Sequence, residues 1–269
     1  MMKSQLLALV LAALIALPAA AATSSSVFLE ELTSPEVANA IKSGKTTIIV
    51  PIGGTEQNGP HMTLGKHNVR VRVLAGKIAA ALGNALVAPV IAYVPEGSVE
   101  PPTAHMRFAG TITVPAATFE SVLESAARSF RLHGFHDVVF LGDHGGYQKE
   151  ETGVASRLNR EWKKTDVRAH AVEEYYRATE TAFRQALKGR GFTDAEIGTH
   201  AGLADTSLAL AVDPHLVRTD RMGSSAGSGS NGVAGDPRRS SVELGQLGVD
   251  VVVTQTVAAI RKAVARSPR

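Results

Sequence analysis

The sequence contains no cysteine, a single tryptophan and only 5% aromatic residues. The lack of cysteine excludes disulfide bonds, a thiolate nucleophile, a thiolate metal site and an iron–sulfur cluster. Any bound metal ion must therefore be held by histidine, carboxylate or amide side chains. Basic residues outnumber acidic ones by only 28 to 25 and form no cluster along the chain. This balance argues against a dedicated nucleic-acid surface.

Several catalytic signatures are missing as well. The chain has no H-E-x-x-H motif, no P-loop, no G-x-G-x-x-G after a predicted strand and no G-x-S-x-G elbow between a strand and a helix. These absences weigh against a zincin protease, a nucleotide-dependent enzyme and an α/β serine hydrolase.

The first 22 residues have the pattern of a secretory signal peptide. Lys3 supplies a short positive region, and Leu6 to Leu17 is an apolar run too short to span a membrane. Alanines up to Ala22 form a cleavage site of the A-x-A type, so we expect cleavage before Thr23. The sequence thus predicts a periplasmic or secreted protein without a membrane anchor, with one domain over residues 23–269.

Predicted strands alternate with predicted helices along this domain. Apolar runs predict strands over 46–51, 86–92, 111–114, 137–141 and 167–172. Helical spacing predicts helices over 34–44, with Ser34 as its cap, 69–82, 115–133, 175–188, 199–211 and 240–266, and a polar helix that ends near 164. Uniformly apolar strands separated by helices indicate an α/β three-layer sandwich, with a mainly parallel sheet flanked by helices on both faces.

The stretch from Pro51 to Val69 concentrates polar side chains directly after the first predicted strand. It contains Glu56, Gln57, Asn58, His61 and His67. Loops at the carboxyl ends of parallel strands are where α/β proteins place ligand sites. A polar surface turn is the other interpretation, and matching groups elsewhere in the chain decide between the two.

Two later segments supply such groups. His144 follows the apolar strand over 137–141, and Asp205 stands five positions after His200. If the strands are parallel, Glu56, His67 and His144 converge at one sheet edge. One carboxylate and two imidazoles suit zinc or a similar divalent ion. Asp205 either caps the helix that begins there or supplies a fourth ligand.

Together these segments resemble the creatininase family of metal-dependent amidohydrolases. The family's P-x-G-S-x-E-Q-H-G-P-H-L-P-L-x-T-D stretch is similar to Pro51–His67, and its N-G-H-G-G-N turn to Gly142–Tyr147. Its H-A-G-x-x-E-T-S segment is similar to His200–Ser207, and its G-D-P to Gly235–Pro237. A weaker match relates E-H-x-x-F-P-G-T to Ala104–Thr111. The matches occur in the family's order over most of the chain.

The resemblance implies a three-layer α/β fold with one or two divalent ions, often in a homo-oligomer. It implies metal ligation by Glu56 and His144, places His200 near the substrate, and sets Asp205 where the family has a glutamate. It also implies a small-molecule amide substrate and hydrolysis of its linear or cyclic C–N bond by a metal-activated water. Asp205 or His200 would then carry the proton to the leaving nitrogen.

Two departures from the family motif bear on the number of ions. Asn58 replaces a metal-binding histidine, and His67 replaces the aspartate that bridges the ions. Because a neutral imidazole rarely bridges, we expect one ion, zinc with manganese as the alternative. Its expected ligands are Glu56, His67, His144 and Asp205.

Substrate contacts complete the predicted site. We expect them from Asn58, His61, His105, Gly145, Gly146 and Tyr147. The amide of Asn58 or the backbone of the two glycines would bind the oxyanion. The alternative function is a metal- or ligand-binding relative that has kept the pocket and lost turnover.

Overall fold

The structure is a computed structural model that describes residues 26–225 and 230–266. The predicted signal peptide, residues 1–22, lies outside the described residues. Within the described ranges, no helix combines the length and the apolar character that crossing a membrane requires. At the start of the described chain, the Val27 carbonyl accepts a 2.7 Å hydrogen bond from the backbone N–H of Val87. This bond joins the segment to the edge of the central sheet.

The central sheet has four parallel strands in the order β2-β1-β3-β4. They are β1 (Thr47–Ile52), β2 (Ala85–Val87), β3 (Asp137–Gly142) and β4 (Arg168–Ala171). β1 and β3 are wholly buried and pair over their full length, from Thr47 opposite Asp137 to Ile52 opposite Gly142. The segments that follow β1 and β3 therefore leave the sheet side by side, and the predicted parallel α/β sheet is confirmed.

Helices cover both faces of the sheet. They are α1 (Ser34–Lys42), α2 (Lys66–Leu82), α3 (Ala116–Leu132), α4 (Gln148–Glu161), α5 (Glu174–Ala178), α6 (Arg184–Lys188), α7 (Asp194–Ile197), α8 (Leu203–Val212) and α9 (Val242–Ala265). A π-helical turn, Thr179–Phe183, joins α5 to α6. Successive β1 side chains enter opposite cores, Ile49 with α2, α8 and α9, and Ile48 with α3 and α4. The three-layer architecture follows from this alternation.

Two strand predictions are wrong in detail. Residues 111–114, all of which are described, form no strand; Ile112 instead donates its backbone N–H to the Thr55 carbonyl. The strand predicted over 86–92 ends at Val87, because Pro89 has no N–H to donate to a ladder. After β2 the Ala88 N–H still donates to the Ile49 carbonyl, and an isolated bridge joins Ile91 to Ile52.

Three helix starts also differ from the predictions. The cap of α1 is Thr33 rather than Ser34, since Thr33 and Glu36 form a reciprocal capping box. α2 begins at Lys66, before the apolar periodicity starts, so His67 lies in the first helical turn and not in the loop. α8 begins at 203, after the predicted start at 199.

Candidate metal centre

Glu56 is fully buried just beyond the carboxyl end of β1, with four histidines around its carboxylate. His67 Nε2 lies 2.8 Å and His200 Nδ1 3.8 Å from Glu56 Oε1. His105 Nε2 and His144 Nε2 lie 3.2 and 3.5 Å from Oε2. Two overlapping triads have donor atoms within 4.8 Å of one another: Glu56 with His67 and His144, and Glu56 with His105 and His200. The predicted convergence of Glu56, His67 and His144 is therefore present.

Asn58 fixes the loop that carries Glu56. Its amide nitrogen donates to the backbone carbonyls of Glu56 at 2.9 Å and Thr63 at 3.0 Å. These two bonds use both amide hydrogens, so Asn58 has no free donor for the oxyanion contact that the sequence suggested. Its structural role is to hold the turn behind the Glu56 carboxylate.

Asp143 orients His67. Its Oδ2 lies 2.6 Å from His67 Nδ1, and Arg70 Nε and the Tyr175 hydroxyl donate to the same carboxylate at 2.8 and 2.7 Å. Burial alone would raise the pKa of Asp143, but the charge of Arg70 and the hydrogen bonds from His67 and Tyr175 hold that pKa below its usual value. An ionised Asp143 keeps the proton of His67 on Nδ1, which turns Nε2 toward Glu56. A carboxylate behind a histidine is the usual arrangement around ligating imidazoles.

His144 follows β3 and faces the same carboxylate. Burial lowers the pKa of His144 to about 3, so the ring is neutral near pH 7. Its Nδ1 accepts a 3.1 Å hydrogen bond from the backbone N–H of Gly146. Because Nδ1 accepts this hydrogen bond, the neutral ring carries its proton on Nε2. A metal ion could bind Nε2 only after the proton moves to Nδ1, which breaks the hydrogen bond from Gly146. Gly145 and Gly146 are both exposed, but the Gly146 amide is used within the turn.

Tyr147 joins the ends of β1 and β3. It is fully buried, and its hydroxyl lies 2.9 Å from the Ile52 carbonyl and 2.5 Å from the Gly53 carbonyl. The same hydroxyl accepts a 3.1 Å bond from the His144 backbone N–H. Tyr147 thus braces the backbone under His144 and does not reach the open cleft.

Asp205 lies in the cleft but outside both triads. Arg70 Nη1 donates to its Oδ1 at 2.5 Å, while Lys66 Nζ and the Ala201 backbone N–H engage its Oδ2. Burial would raise the pKa of Asp205, yet Lys66 and Arg70 hold it well below the usual value. The carboxylate therefore anchors two cations and caps the chain before α8. Its predicted roles as metal ligand and base stay predictions that this placement does not favour.

Gln57 connects His105 and His200. Its side-chain nitrogen lies 2.9 Å from His105 Nδ1, and its backbone oxygen lies 3.0 Å from His200 Nε2. Because that oxygen is an acceptor, His200 carries its proton on Nε2 and presents a free Nδ1 on the side of Glu56. Burial and the charge of Lys66 lower the pKa of His200 to about 4, so the ring is neutral and Nδ1 is unprotonated near pH 7.

His61 does not reach the cleft. The residue is fully buried, and its Nε2 lies 2.9 Å from the Thr206 hydroxyl. It joins the Glu56 loop to α8, and the predicted contact between His61 and substrate is not available in this arrangement.

Glu96 is a site residue that sequence reasoning missed, as are Lys66, Arg70 and Asp143. Its side chain is buried with 4% exposure, and its Oε2 lies 3.9 Å from His144 Nε2. Burial and the nearby Glu56 carboxylate raise the pKa of Glu96 to about 9. The only signal in the sequence is an acidic residue between Pro95 and Gly97 in an irregular segment that leads to His105.

The histidines and charged groups open into a cleft of about 200 Å³. The outer wall comes from α5, α6 and the π-helical turn between them, and includes Tyr176, Glu180 and Arg184. The volume suits a small molecule or the end of a short chain rather than a folded partner.

A carboxylate and four histidines at the carboxyl edge of the parallel sheet form a candidate divalent-metal centre in a three-layer α/β fold. The sequence profile described as Creatininase, creatinine amidohydrolase, matches residues 30–260. The chain therefore belongs to the creatininase family and is a metal-dependent amidohydrolase.

Individual relatives agree with this assignment. A creatinine amidohydrolase of Pseudomonas putida is 28% identical over 74% of this chain and 76% of that protein. A mycofactocin precursor peptide peptidase of Mycobacterium ulcerans (strain Agy99) is 29% identical over 65% of this chain and 62% of that protein. A mutant creatininase structure of zinc–zinc type superposes with a TM-score of 0.74 and 26% identity over 91% of this chain and all of that chain. A creatininase structure described with manganese gives a TM-score of 0.72 at 26% identity over the same shares.

Proposed function

We propose that the protein hydrolyses the C–N bond of a small linear or cyclic amide, using one divalent ion held by Glu56, His67 and His144. The observation that carries this proposal is the buried Glu56 carboxylate with His67 and His144 beside it. Zinc is the favoured ion and manganese the alternative, because both metals occur in the descriptions of similar creatininases. One ion is favoured because His67 stands where the family motif has the aspartate that bridges two ions, and a neutral imidazole rarely bridges.

The unpaired oxygen of Glu56 indicates that these ligand atoms fit a cation. Glu56 Oε2 is buried and, among the described residues, accepts no hydrogen bond of acceptable geometry. A buried carboxylate oxygen without a partner is costly unless a cation or a proton satisfies it. Nitrogen and oxygen donors of this kind suit zinc, and manganese tolerates them.

A divalent ion in this position polarises an amide carbonyl and acidifies a water molecule. His200 is neutral and presents Nδ1 on the side of Glu56, so it can take a proton and return it to a leaving nitrogen. Lys66 lines the cleft, with Nζ 3.8 Å from Glu56 Oε1. Its ammonium group is placed to stabilise negative charge that develops on the substrate oxygen.

The test is hydrolysis by zinc- or manganese-loaded protein of a panel of lactams, formamides and short peptides. We expect turnover of at least one class, with loss of both turnover and bound metal in Glu56→Gln and His144→Ala. His170→Gln is the matched control, because His170 also pairs with a carboxylate, Asp137 at 2.8 Å, but lies on β4 outside the cleft.

A binding protein without turnover is the second candidate function. The observation that favours it is Asn58, which stands where the family motif has a metal-binding histidine and donates both amide hydrogens to loop carbonyls. Tight metal binding with no hydrolysis of any amide in the panel would support this candidate and contradict the enzyme.

We also propose that the protein is exported and forms a homo-oligomer. The N-terminal pattern of Lys3 and the apolar run over 6–17 supports export, and family membership supports the oligomer. Cell fractionation with N-terminal sequencing is expected to find a periplasmic or secreted chain that starts at Thr23. Light scattering on the mature protein measures the oligomeric state.

A further inference from the structure

Glu96 presents an unsatisfied buried carboxyl group to the metal centre. Both of its oxygens are buried and, within the part of the chain that the structure describes, neither has a hydrogen-bond partner. Its backbone is fixed, since the Glu96 N–H donates to the Thr113 hydroxyl at 3.0 Å. A carboxyl group held at such a place without a partner is a candidate for contact with a missing cation.

The surroundings of this carboxyl group point to the same cation. Glu96 Oε2 lies 3.9 Å from His144 Nε2, and His144 Nε2 lies 3.5 Å from Glu56 Oε2, which also lacks a hydrogen-bond partner among the described residues. Gly54 makes room for the group, because a Cβ at that position would lie 2.6 Å from Glu96 Oε1. The two carboxyl groups and the imidazole thus face one another across a short gap.

The balance of charges around Glu56 also indicates a missing cation. Asp143 and Asp205 have Arg70 and Lys66 as cationic partners, whereas Glu96 has none within ion-pair distance among the described residues apart from His144. The network around Glu56 consists of four carboxyl groups and two cations: Glu56, Glu96, Asp143, Asp205, Lys66 and Arg70. With every carboxyl ionised and the histidines neutral, two negative charges remain, which is the charge that one divalent ion neutralises.

We infer that Glu96 is a carboxylate ligand of the divalent ion that Glu56, His67 and His144 bind. This inference rests on the proposed function only in taking the ion to occupy that triad. It gives Glu96 the place of fourth protein ligand, while Asp205 remains bound to Lys66 and Arg70. The ligand set becomes two carboxylates and two imidazoles, in which the carboxylate charges match the charge of the ion.

The experiment compares metal binding by the wild-type protein, Glu96→Gln and the control Glu151→Gln. Glu151 is a matched control because it is buried with 1% exposure and one of its oxygens also lacks a partner, yet it lies on α4 and, among the described residues, has no histidine within ion-pair distance. Affinity is measured by competition with a chromogenic chelator, and stoichiometry by elemental analysis after dialysis. Bound cobalt(II) is used as a spectroscopic probe of coordination.

We expect one ion per chain in the wild type and in Glu151→Gln. Glu96→Gln should lose about 100-fold in affinity and shift the visible spectrum of bound cobalt(II), since an amide is a poor ligand for either metal. Metal-free Glu96→Gln should melt near the wild-type temperature, because the amide is neutral and almost the same size and shape as the carboxyl group. Its metal-induced rise in melting temperature should shrink, and this readout separates ligand loss from misfolding.

Wild-type affinity and an unchanged cobalt spectrum in Glu96→Gln would overturn the inference and leave the proposed function intact. Failure of the wild type itself to bind any divalent ion would overturn both. Loss of affinity in Glu96→Gln, together with a wild-type protein that binds metal but hydrolyses no amide, would support the ligand and contradict only the hydrolysis.

Discussion

Asp143 Oδ2 lies 2.6 Å from Nδ1 of His67 and sets which nitrogen of that ring faces Glu56. We expect Asp143→Asn to lower metal affinity by about 10- to 100-fold, because the amide no longer selects the Nδ1-protonated ring. Affinity is measured by chelator competition. Tyr175→Phe is the control, since it removes one hydrogen bond from the same carboxylate and leaves its charge. Equal affinity in Asp143→Asn and Tyr175→Phe would contradict the orienting role.

The variant Asp205→Asn distinguishes a metal-ligand role for the Asp205 carboxylate from a role in anchoring Lys66 and Arg70. We expect the variant to keep its ion with an affinity within a few-fold of wild type, because Lys66 and Arg70 already pair with both oxygens of Asp205. It should lose about 3 kcal/mol of unfolding free energy, since Lys66 and part of Arg70 are left without their partner. Denaturant unfolding and elemental analysis measure the two effects. Loss of the ion from a folded Asp205→Asn protein would establish Asp205 as a ligand, as the sequence suggested.

His200→Gln tests the proton carrier. We expect kcat to fall about 100-fold or more while the metal content stays at the wild-type level, because general acid–base catalysis contributes at least that much. The amide of glutamine can still donate to the Gln57 carbonyl but cannot accept and release a proton. Steady-state kinetics with the substrate identified from the panel provides the measurement. An unchanged kcat would remove His200 from the reaction.

Acid should destabilise the protein through His61. Burial lowers the pKa of His61 to about 4 from an ordinary value of about 6.5. Between these pH values the unfolded chain holds a proton that the folded chain does not, so the unfolding free energy falls as pH drops. The loss is at most about 1.4 kcal/mol per pH unit.

The check is urea unfolding of metal-free protein at pH 8, 6 and 5. We expect His61→Asn to have a shallower loss of stability below pH 6.5 than the wild type. His215→Asn is the control because the His215 side chain is 96% exposed and should follow the wild-type curve. Parallel curves for all three proteins would show that His61 does not contribute.

The layers of the fold and the position of the site follow from the sequence because both depend on local patterns. Apolar runs identify β1 and β3, and parallel strands bring the segments after them together. Glu56, His67 and His144 could thus be placed at one edge of the sheet from the sequence alone. The start of α2 could not be predicted from the sequence. Lys66, His67 and Arg70 are polar residues that are buried at the site, so they add nothing to an apolar periodicity.

The sequence does not reveal which charged side chains pair with one another. Asp205 looks like a ligand by its position in a motif, but the buried Lys66 and Arg70 from another helix take both of its oxygens. Glu96 lies in an irregular segment whose path depends on long-range contacts such as the bond from its N–H to Thr113. No spacing of residues along the chain predicts the ion pairs of Asp205 or the position of Glu96.

The first five residues of α2 include Lys66, His67 and Arg70, and this arrangement determines where the chain tolerates changes in length. An α-helix rotates by about 100° per residue, so one residue inserted between Lys66 and Arg70 would turn part of this set away from Glu56. Residues added to the turn at 59–60, ahead of the helix, would leave its rotational phase unchanged. Insertions and deletions among functional relatives should therefore accumulate before Lys66 and be rare within the helical turn that follows.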